Sequence, residues 1–172
     1  MACAYLGIGS NLGDRRANLA AALAALSMLG DIDAISPVYE TEPVGLQEQP
    51  DFWNLVLRLR TSIPPAELLQ AAKTAERRLG RTRTVPDGPR VIDIDLLLYD
   101  DVVVHGPGLN VPHPRMMQRA FVLRPLLDID PGLTHPVTGE ALADTLAGGT
   151  FERVIPLFPG EALLAGRPPD RR

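Results

Sequence analysis

The sequence predicts an α+β fold: a ferredoxin-like βαββαβ core, in which an antiparallel sheet carries its helices on one face. Three observations predict it. Apolar or alternating runs occur at 2–9, 32–39, 52–61 and 88–99; helical periodicity fills only the first and last of the intervals between them; and the middle interval is a long polar loop.

The first run, Ala2-Cys3-Ala4-Tyr5-Leu6-Gly7-Ile8-Gly9, reads as a buried strand. Ser10, Asn11 and Asp14 supply possible caps for an alanine-rich helix in which Leu19, Leu23 and Leu26 share a face, with Gly30 as its stop. Ile32 to Tyr39 reads as the second strand, and Phe52 to Thr61 alternates as the third. Pro64 and Pro65 then open a second helix, whose pattern of Leu68, Leu69, Ala72, Ala75, Glu76 and Leu79 runs to Gly80. The fourth strand carries Asp93 and Asp95. Beyond Tyr99 the pattern predicts a short strand at 102–104 and helical segments at 116–127 and 141–146.

With 172 residues, 45% hydrophobic content and mean hydropathy near zero, the chain fits one domain over 1–165, followed by a frayed tail at 166–172 rich in proline and charge. No apolar run approaches the roughly 20 residues of a membrane span, and the N-terminus has neither a basic n-region nor a signal-like h-region. A cytoplasmic protein is expected. Cys3 is the sole cysteine, which excludes an internal disulfide and a cysteine-cluster zinc site. A net charge of −4 argues against a nucleic-acid partner, whose phosphates call for a basic stripe.

Asp93 and Asp95 lie two residues apart in a strand, so they share a face with Cβ atoms about 6.6 Å apart. Two carboxylates on one face beside a core repel each other and lose hydration, a cost that divalent cations offset. Three arginines precede them: Arg81, Arg83 and Arg90. Carboxylates suited to Mg²⁺ beside guanidinium groups point to phosphoryl transfer. A P-loop is excluded, because Lys73 is the only lysine and no glycine precedes it. Gly7 and Gly9 read as close packing rather than as a dinucleotide fingerprint.

The loop between Tyr39 and Phe52 is long for a compact domain, which favours a lid or binding element. Phe52 and Asn54 share a strand face, where a flat heterocycle could stack on one and hydrogen-bond to the other. The pair equally suits a core aromatic with a satisfied amide, and these residues alone do not separate the two. His113 and Arg119 add candidate phosphate contacts; His105 and His135 read as surface residues. A nucleotidyl transferase would require a basic groove, and a ligand-binding regulatory module would have no need for same-face carboxylates beside arginines.

These residues resemble the 6-hydroxymethyl-7,8-dihydropterin pyrophosphokinase family of folate biosynthesis over most of the chain. The resemblance rests on Gly9-Ser10-Asn11-Leu12-Gly13, Tyr39-Glu40-Thr41 with Pro43 and Gly45, Gln49-Pro50-Asp51-Phe52 with Asn54, and Glu76. Gly80-Arg81-Thr82-Arg83, Gly88-Pro89-Arg90 through Asp95, and Val111-Pro112-His113-Pro114-Arg115-Met116 complete it. It implies a ferredoxin-like fold and transfer of pyrophosphate from ATP to the pterin alcohol, releasing AMP. It also implies two Mg²⁺ ions on Asp93 and Asp95, with Arg81 and Arg90 sharing the catalytic work. Phe52 and Phe121 would sandwich the pterin, and Asn54, Thr41, Pro43 and Val44 would read its edge. Lys73, Glu76, Arg83, Arg90, His113 and Arg119 would line the nucleotide side. The expected partners are these small molecules alone, with the chain a monomer.

The sequence departs from the family pattern at Val85-Pro86-Asp87-Gly88, where an Arg-Trp pair is frequent. It departs again at Met117 and Gln118, where His and Glu are frequent. The first departure implies weaker or differently timed lid closure with the same reaction.

Overall fold

A computed structural model describes residues 1–82 and 85–165, so Arg83 and the expected tail at 166–172 lie outside the described residues. The elements run β1 (Ala2–Ser10), α1 (Arg15–Leu26), β2 (Asp31–Ile35), β3 (Val38–Thr41), β4 (Phe52–Thr61), α2 (Pro65–Arg78) and β5 (Asp93–Tyr99). There follow a hairpin of β6 (Val104–Gly106) and β7 (Leu109–Val111), then α3 (Ala120–Ile129), α4 (Leu142–Gly148) and β8 (Val154–Phe158).

The main sheet has the order β5-β1-β4-β3-β8, with β2 also paired to β4, and the pairings are antiparallel. Taking β2 and β3 as one interrupted strand, this is the βαββαβ core that the sequence predicts. The interruption falls at Ser36-Pro37. Proline cannot donate to the ladder, and buried Ser36 takes over locally: its Oγ accepts the Val56 N–H at 2.9 Å, and its own N–H donates to the Val56 carbonyl.

Helix α1 starts at Asp14, whose side chain accepts the Ala17 N–H at 2.9 Å, and α2 starts with proline at its first position. Gly80 ends α2 in the left-handed conformation at φ 98°. Gly30 does not cap α1, which closes at Ser27. Instead Gly30 lies against the backbone of β4, where a Cβ would collide with the Arg60 carbonyl oxygen.

The sheet has two differently covered faces. Leu6 and Ile8 of β1, Leu55, Leu57 and Leu59 of β4, and Ile94 and Leu96 of β5 pack under α1 and α2, against Leu19, Leu23, Leu26, Leu68 and Ala72. The opposite face has a second, smaller core, in which Tyr5, Val56, Leu97 and Leu98 meet Val122, Leu123 and Leu126 of α3 and Leu142 of α4. A bulge in the β1–β5 pairing turns both Leu97 and Leu98 toward this core. Helices α3 and α4 thus add a layer to the face that α1 and α2 leave bare, and they cover only one end of it. Alternation places Gly7, Gly9, Phe52, Asn54, Asp93 and Asp95 on the uncovered end of the same face.

Several elements differ from the sequence reading: the strand expected at 102–104 lies at Val104–Gly106 as β6, and that expected at 32–39 is split into β2 and β3. The expected helix at 116–127 is a single 3-10 turn at Met116–Gln118, then an extended Arg119, then α3. The hairpin partner β7 and the edge strand β8 carry too few residues or too much exposed apolar surface to show alternation. His105 is exposed and His135 partly exposed, as expected of surface residues, and the Nδ1 of His135 accepts the Val137 N–H at 3.3 Å within a turn. No helix among the described residues is long and apolar enough to cross a membrane.

Replacing Gly30 with alanine should cost about 1–3 kcal/mol, because the obstacle is backbone that cannot rotate away. Urea denaturation should show a lower midpoint at unchanged slope, and an unchanged midpoint would contradict the close approach.

Candidate active site

Glycines make the floor of the site. Gly9 and Gly7 of β1 stand between β4 and β5, Gly9 paired with Asn54 on one side and Asp93 on the other, Gly7 with Val56 and Asp95. A Cβ on Gly9 would collide with Asn54 Oδ1. Above this floor lies a cavity of about 220 Å³. Phe52 and Phe121 line one part, beside Val44 and the buried pair Asn54 and Thr41, whose Nδ2 and Oγ1 are hydrogen-bonded at 2.6 Å. Asp93, Asp95, Lys73, Arg81, Arg90, His113 and Arg119 line the rest.

The two aspartates point to the same side of the sheet, as alternation requires, and are partly exposed at 22% and 29%. Cations enclose them. Arg81 donates to Asp93 Oδ1, and Arg90 stands 3.6 Å from Asp93 Oδ2. Lys73 Nζ is 3.3 Å from Asp95 and 3.8 Å from Asp93. Burial works to raise the Asp93 pKa, but Arg90, Lys73 and Arg81 together outweigh it and hold the carboxyl below its usual range. Burial likewise works against the Lys73 charge, and Asp95, Asp93 and Glu76 outweigh it, leaving the ammonium firmly protonated.

Glu76, 3% exposed, lies behind the carboxylates and lines an adjoining cavity with Lys73, Arg81 and Arg90 rather than the one that the aspartates line. Its Oε1 accepts the Ile94 N–H at 2.6 Å and the Lys73 ammonium at 2.8 Å, while its Oε2 meets Arg81 at 2.7 Å. Lys73 also donates to the Ile94 carbonyl at 2.7 Å. Because β5 is an edge strand, these two α2 side chains satisfy backbone groups that would otherwise be open. They also fix the strand segment between the aspartates. Burial raises the Glu76 pKa, outweighing the opposing pull of Lys73 and the Ile94 N–H.

Two amides tie the loops to this frame. Asn11, 3% exposed, accepts the Arg90 N–H at 2.8 Å through Oδ1, and its Nδ2 donates to Gln49 Oε1 and the Pro50 carbonyl, each at 2.9 Å. Gln49 Nε2 donates to the Leu46 and Asp87 carbonyls at 2.7 Å. The loop before β4 and the loop before β5 are thereby joined to each other and to the end of β1. Asp87, at φ 55°, also places its carboxylate 3.8 Å from Arg115. Sequence reading gave Asn11, Gln49, Asp87 and Arg115 no role in the site, since nothing local marks a buried amide as a bridge between distant loops.

His113 is placed by its N–H, which donates to the Leu97 carbonyl at 2.9 Å. Its Nδ1 accepts the Arg115 N–H at 3.2 Å, so the neutral ring carries its proton on Nε2, which faces Asp95 Oδ2 at 4.0 Å. Burial lowers the imidazole pKa; Asp95 opposes this, while Arg119 and Arg115 reinforce it. Arg90 lies 5.3 Å from the Phe52 ring centroid and Arg119 lies 5.4 Å from that of Phe121. Of the residues expected here, Thr41, Val44, Phe52, Asn54, Lys73, Arg81, Arg90, Asp93, Asp95, His113, Arg119 and Phe121 line one cavity. Pro43 is buried beside it, with its carbonyl accepting from Gln47 at 2.9 Å.

Residues 5–131 match the family model described as 7,8-dihydro-6-hydroxymethylpterin-pyrophosphokinase. The chain is 43% identical over 144 residues to a 2-amino-4-hydroxy-6-hydroxymethyldihydropteridine pyrophosphokinase of Aquifex aeolicus, covering 84% of this chain and 90% of that one. It is 42% identical over 145 residues to the folic acid synthesis protein fol1 of Schizosaccharomyces pombe, covering 83% of this chain but only 20% of that longer protein. The fold matches a crystal structure of Plasmodium falciparum HPPK-DHPS with a TM-score of 0.68 at 18% identity, over 85% of this chain and 43% of the other. The chain belongs to the 7,8-dihydro-6-hydroxymethylpterin-pyrophosphokinase family.

Proposed function

We propose that this chain transfers pyrophosphate from ATP to the hydroxymethyl group of 6-hydroxymethyl-7,8-dihydropterin in folate biosynthesis, releasing AMP. The observation that carries this reading is a single cavity with two chemistries: an aromatic and amide end formed by Phe52, Phe121, Asn54 and Thr41, and a charged end formed by Asp93, Asp95 and their cations. The hydroxymethyl oxygen attacks the β-phosphorus of ATP, the bond from that phosphorus to the α–β bridging oxygen breaks, and the hydroxyl proton is lost.

The donor set fits Mg²⁺. Two carboxylates sharing one face are too few for a closed protein cage, and no group of three metal-binding side chains occurs among the described residues. Mg²⁺ is ordinarily held in this way, by one or two carboxylates together with substrate phosphates and water. Asp93 and Asp95 would hold the ions, two being expected, and bound Mg²⁺ would supply charge neutralisation at the transferred and leaving phosphate oxygens. The Nε of Arg90 is buried and makes no hydrogen bond to the described residues, which suits an anionic ligand beside it.

Within this reading, Lys73, Arg81 and Arg90 hold the Asp93 carboxylate ionised, and can turn toward phosphate oxygens when the triphosphate enters. The His113 Nε2–H and Arg119 donate from the opposite wall. Glu76 acts through Lys73, Arg81 and Ile94 rather than on the substrate. Phe52 and Phe121 stack on the pterin, and Asn54, held by Thr41, reads its edge.

Incubation with ATP, Mg²⁺ and the hydroxymethyl pterin should yield AMP in step with the pterin diphosphate; ADP as the nucleotide product would contradict the reading. Asp95→Ala should lower turnover by about a thousandfold or more while leaving the melting temperature within a few degrees. A large loss of stability at retained turnover would make Asp95 structural instead. Gly9→Ala should displace Asn54 and weaken pterin binding about tenfold or more, with ATP affinity unchanged in calorimetry; equal losses for both ligands would remove Asn54 from the pterin end.

A further inference from the structure

The two aromatic rings of the cavity stand on different elements, Phe52 at the start of β4 and Phe121 in the first turn of α3, and one short segment reaches both. Phe151 anchors this segment against the second core, and Gly149 makes room for it, since a Cβ there would collide with the Phe151 ring. At the other end, Val154 pairs with Thr41 as β8 begins. Glu152 and Arg153 lie between the anchors. Glu152 Oε1 accepts the Phe121 N–H at 3.1 Å. That N–H belongs to the first helical turn, which has no intrahelical acceptor, and α3 has no side-chain cap of its own. Arg153 reaches the opposite wall: its Nε donates to Glu42 at 3.1 Å, and its terminal nitrogen is 3.5 Å from the carboxylate of Asp51, the neighbour of Phe52.

We infer that Glu152 and Arg153 are positioning residues that set the gap between Phe52 and Phe121, and hence the fit of the flat ring held between them. The inference rests on the pterin reading of this cavity. Neither side chain lines the cavity, so each acts through the residue it holds. A ring sandwiched between two others loses contact energy on both faces when the gap widens by a fraction of an ångström. Glu152 is the stronger of the two, because a carboxylate at a helix N-terminus meets both an orphan donor and the helix dipole. The Arg153 pairs are exposed and screened.

Glu152→Ala should weaken pterin binding about three- to tenfold and Arg153→Ala about twofold, with ATP affinity and melting temperature essentially unchanged. Glu152→Gln, which keeps the acceptor oxygen, should return pterin affinity to within about twofold of the original. Hydrogen exchange at the Phe121 amide should speed up in Glu152→Ala, a readout that depends on no ligand. Pterin and ATP affinities falling together, or unchanged pterin affinity in both alanine variants of a chain that forms AMP normally, would overturn the inference while leaving the proposed reaction standing. An unaltered chain that binds no hydroxymethyl pterin and releases no AMP would overturn both.

Discussion

Placing two carboxylates side by side on a half-buried sheet face is the constraint around which the rest of the structure is organised. The sheet alone cannot tolerate it: Asp93 and Asp95 repel each other and lose hydration against a wall that includes Leu97 and Val122. Lys73, Arg81 and Arg90 compensate, and each is brought in by a different device. Lys73 comes from α2, Arg81 from the turn that Gly80 closes, and Arg90 from a loop whose backbone is held by Asn11. Buried Glu76 keeps two of these cations in register with the strand. The cluster is charge-balanced only locally and partly open, which suits the polyanion and metal ions of the proposed reaction.

The incomplete second helical layer creates the space that this cluster faces. Helices α3 and α4 bury Tyr5, Val56, Leu97 and Leu98 and stop there, leaving the glycine floor of β1 open. Arg119 is extended between a 3-10 turn and α3, and this break sets the start of α3 at the cavity with Phe121 in its first turn. The loops before β4 and β5 are not independent lids, since Gln49 joins them through Asp87 and Asn11 joins both to the end of β1. The junction is made by the Asp87 backbone and its carboxylate facing Arg115, so changes there act on both loops at once.

The βαββαβ core was legible because its helices bury one face and leave a period of 3.6 residues, while its strands stand out as apolar or alternating runs bounded by glycine and proline. The same alternation put Asp93 with Asp95 and Phe52 with Asn54, and it is the register of β1 between β4 and β5 that brings these two pairs into one cavity. Strand β8 was not legible, because an edge strand with exposed Ile155 and Leu157 and an internal Pro156 has no buried face to set a pattern. The split at Ser36-Pro37 was marked by its proline, yet the apolar residues on either side read as one strand. Asn11, Gln49 and Glu76 owe their placement to partners from 18 to 79 positions away, a relation that no local period records.

The proposed reaction requires Asp93 and Asp95 to take up divalent ions together with a nucleotide. Counting Mn²⁺ bound per chain by electron paramagnetic resonance, with and without a non-hydrolysable ATP analogue, tests it most directly. Weak binding by the chain alone, two ions once the nucleotide is present, and loss of that uptake in Asp93→Asn and Asp95→Asn are expected. Uptake that is equally tight without nucleotide, or undiminished in the asparagine variants, would contradict it.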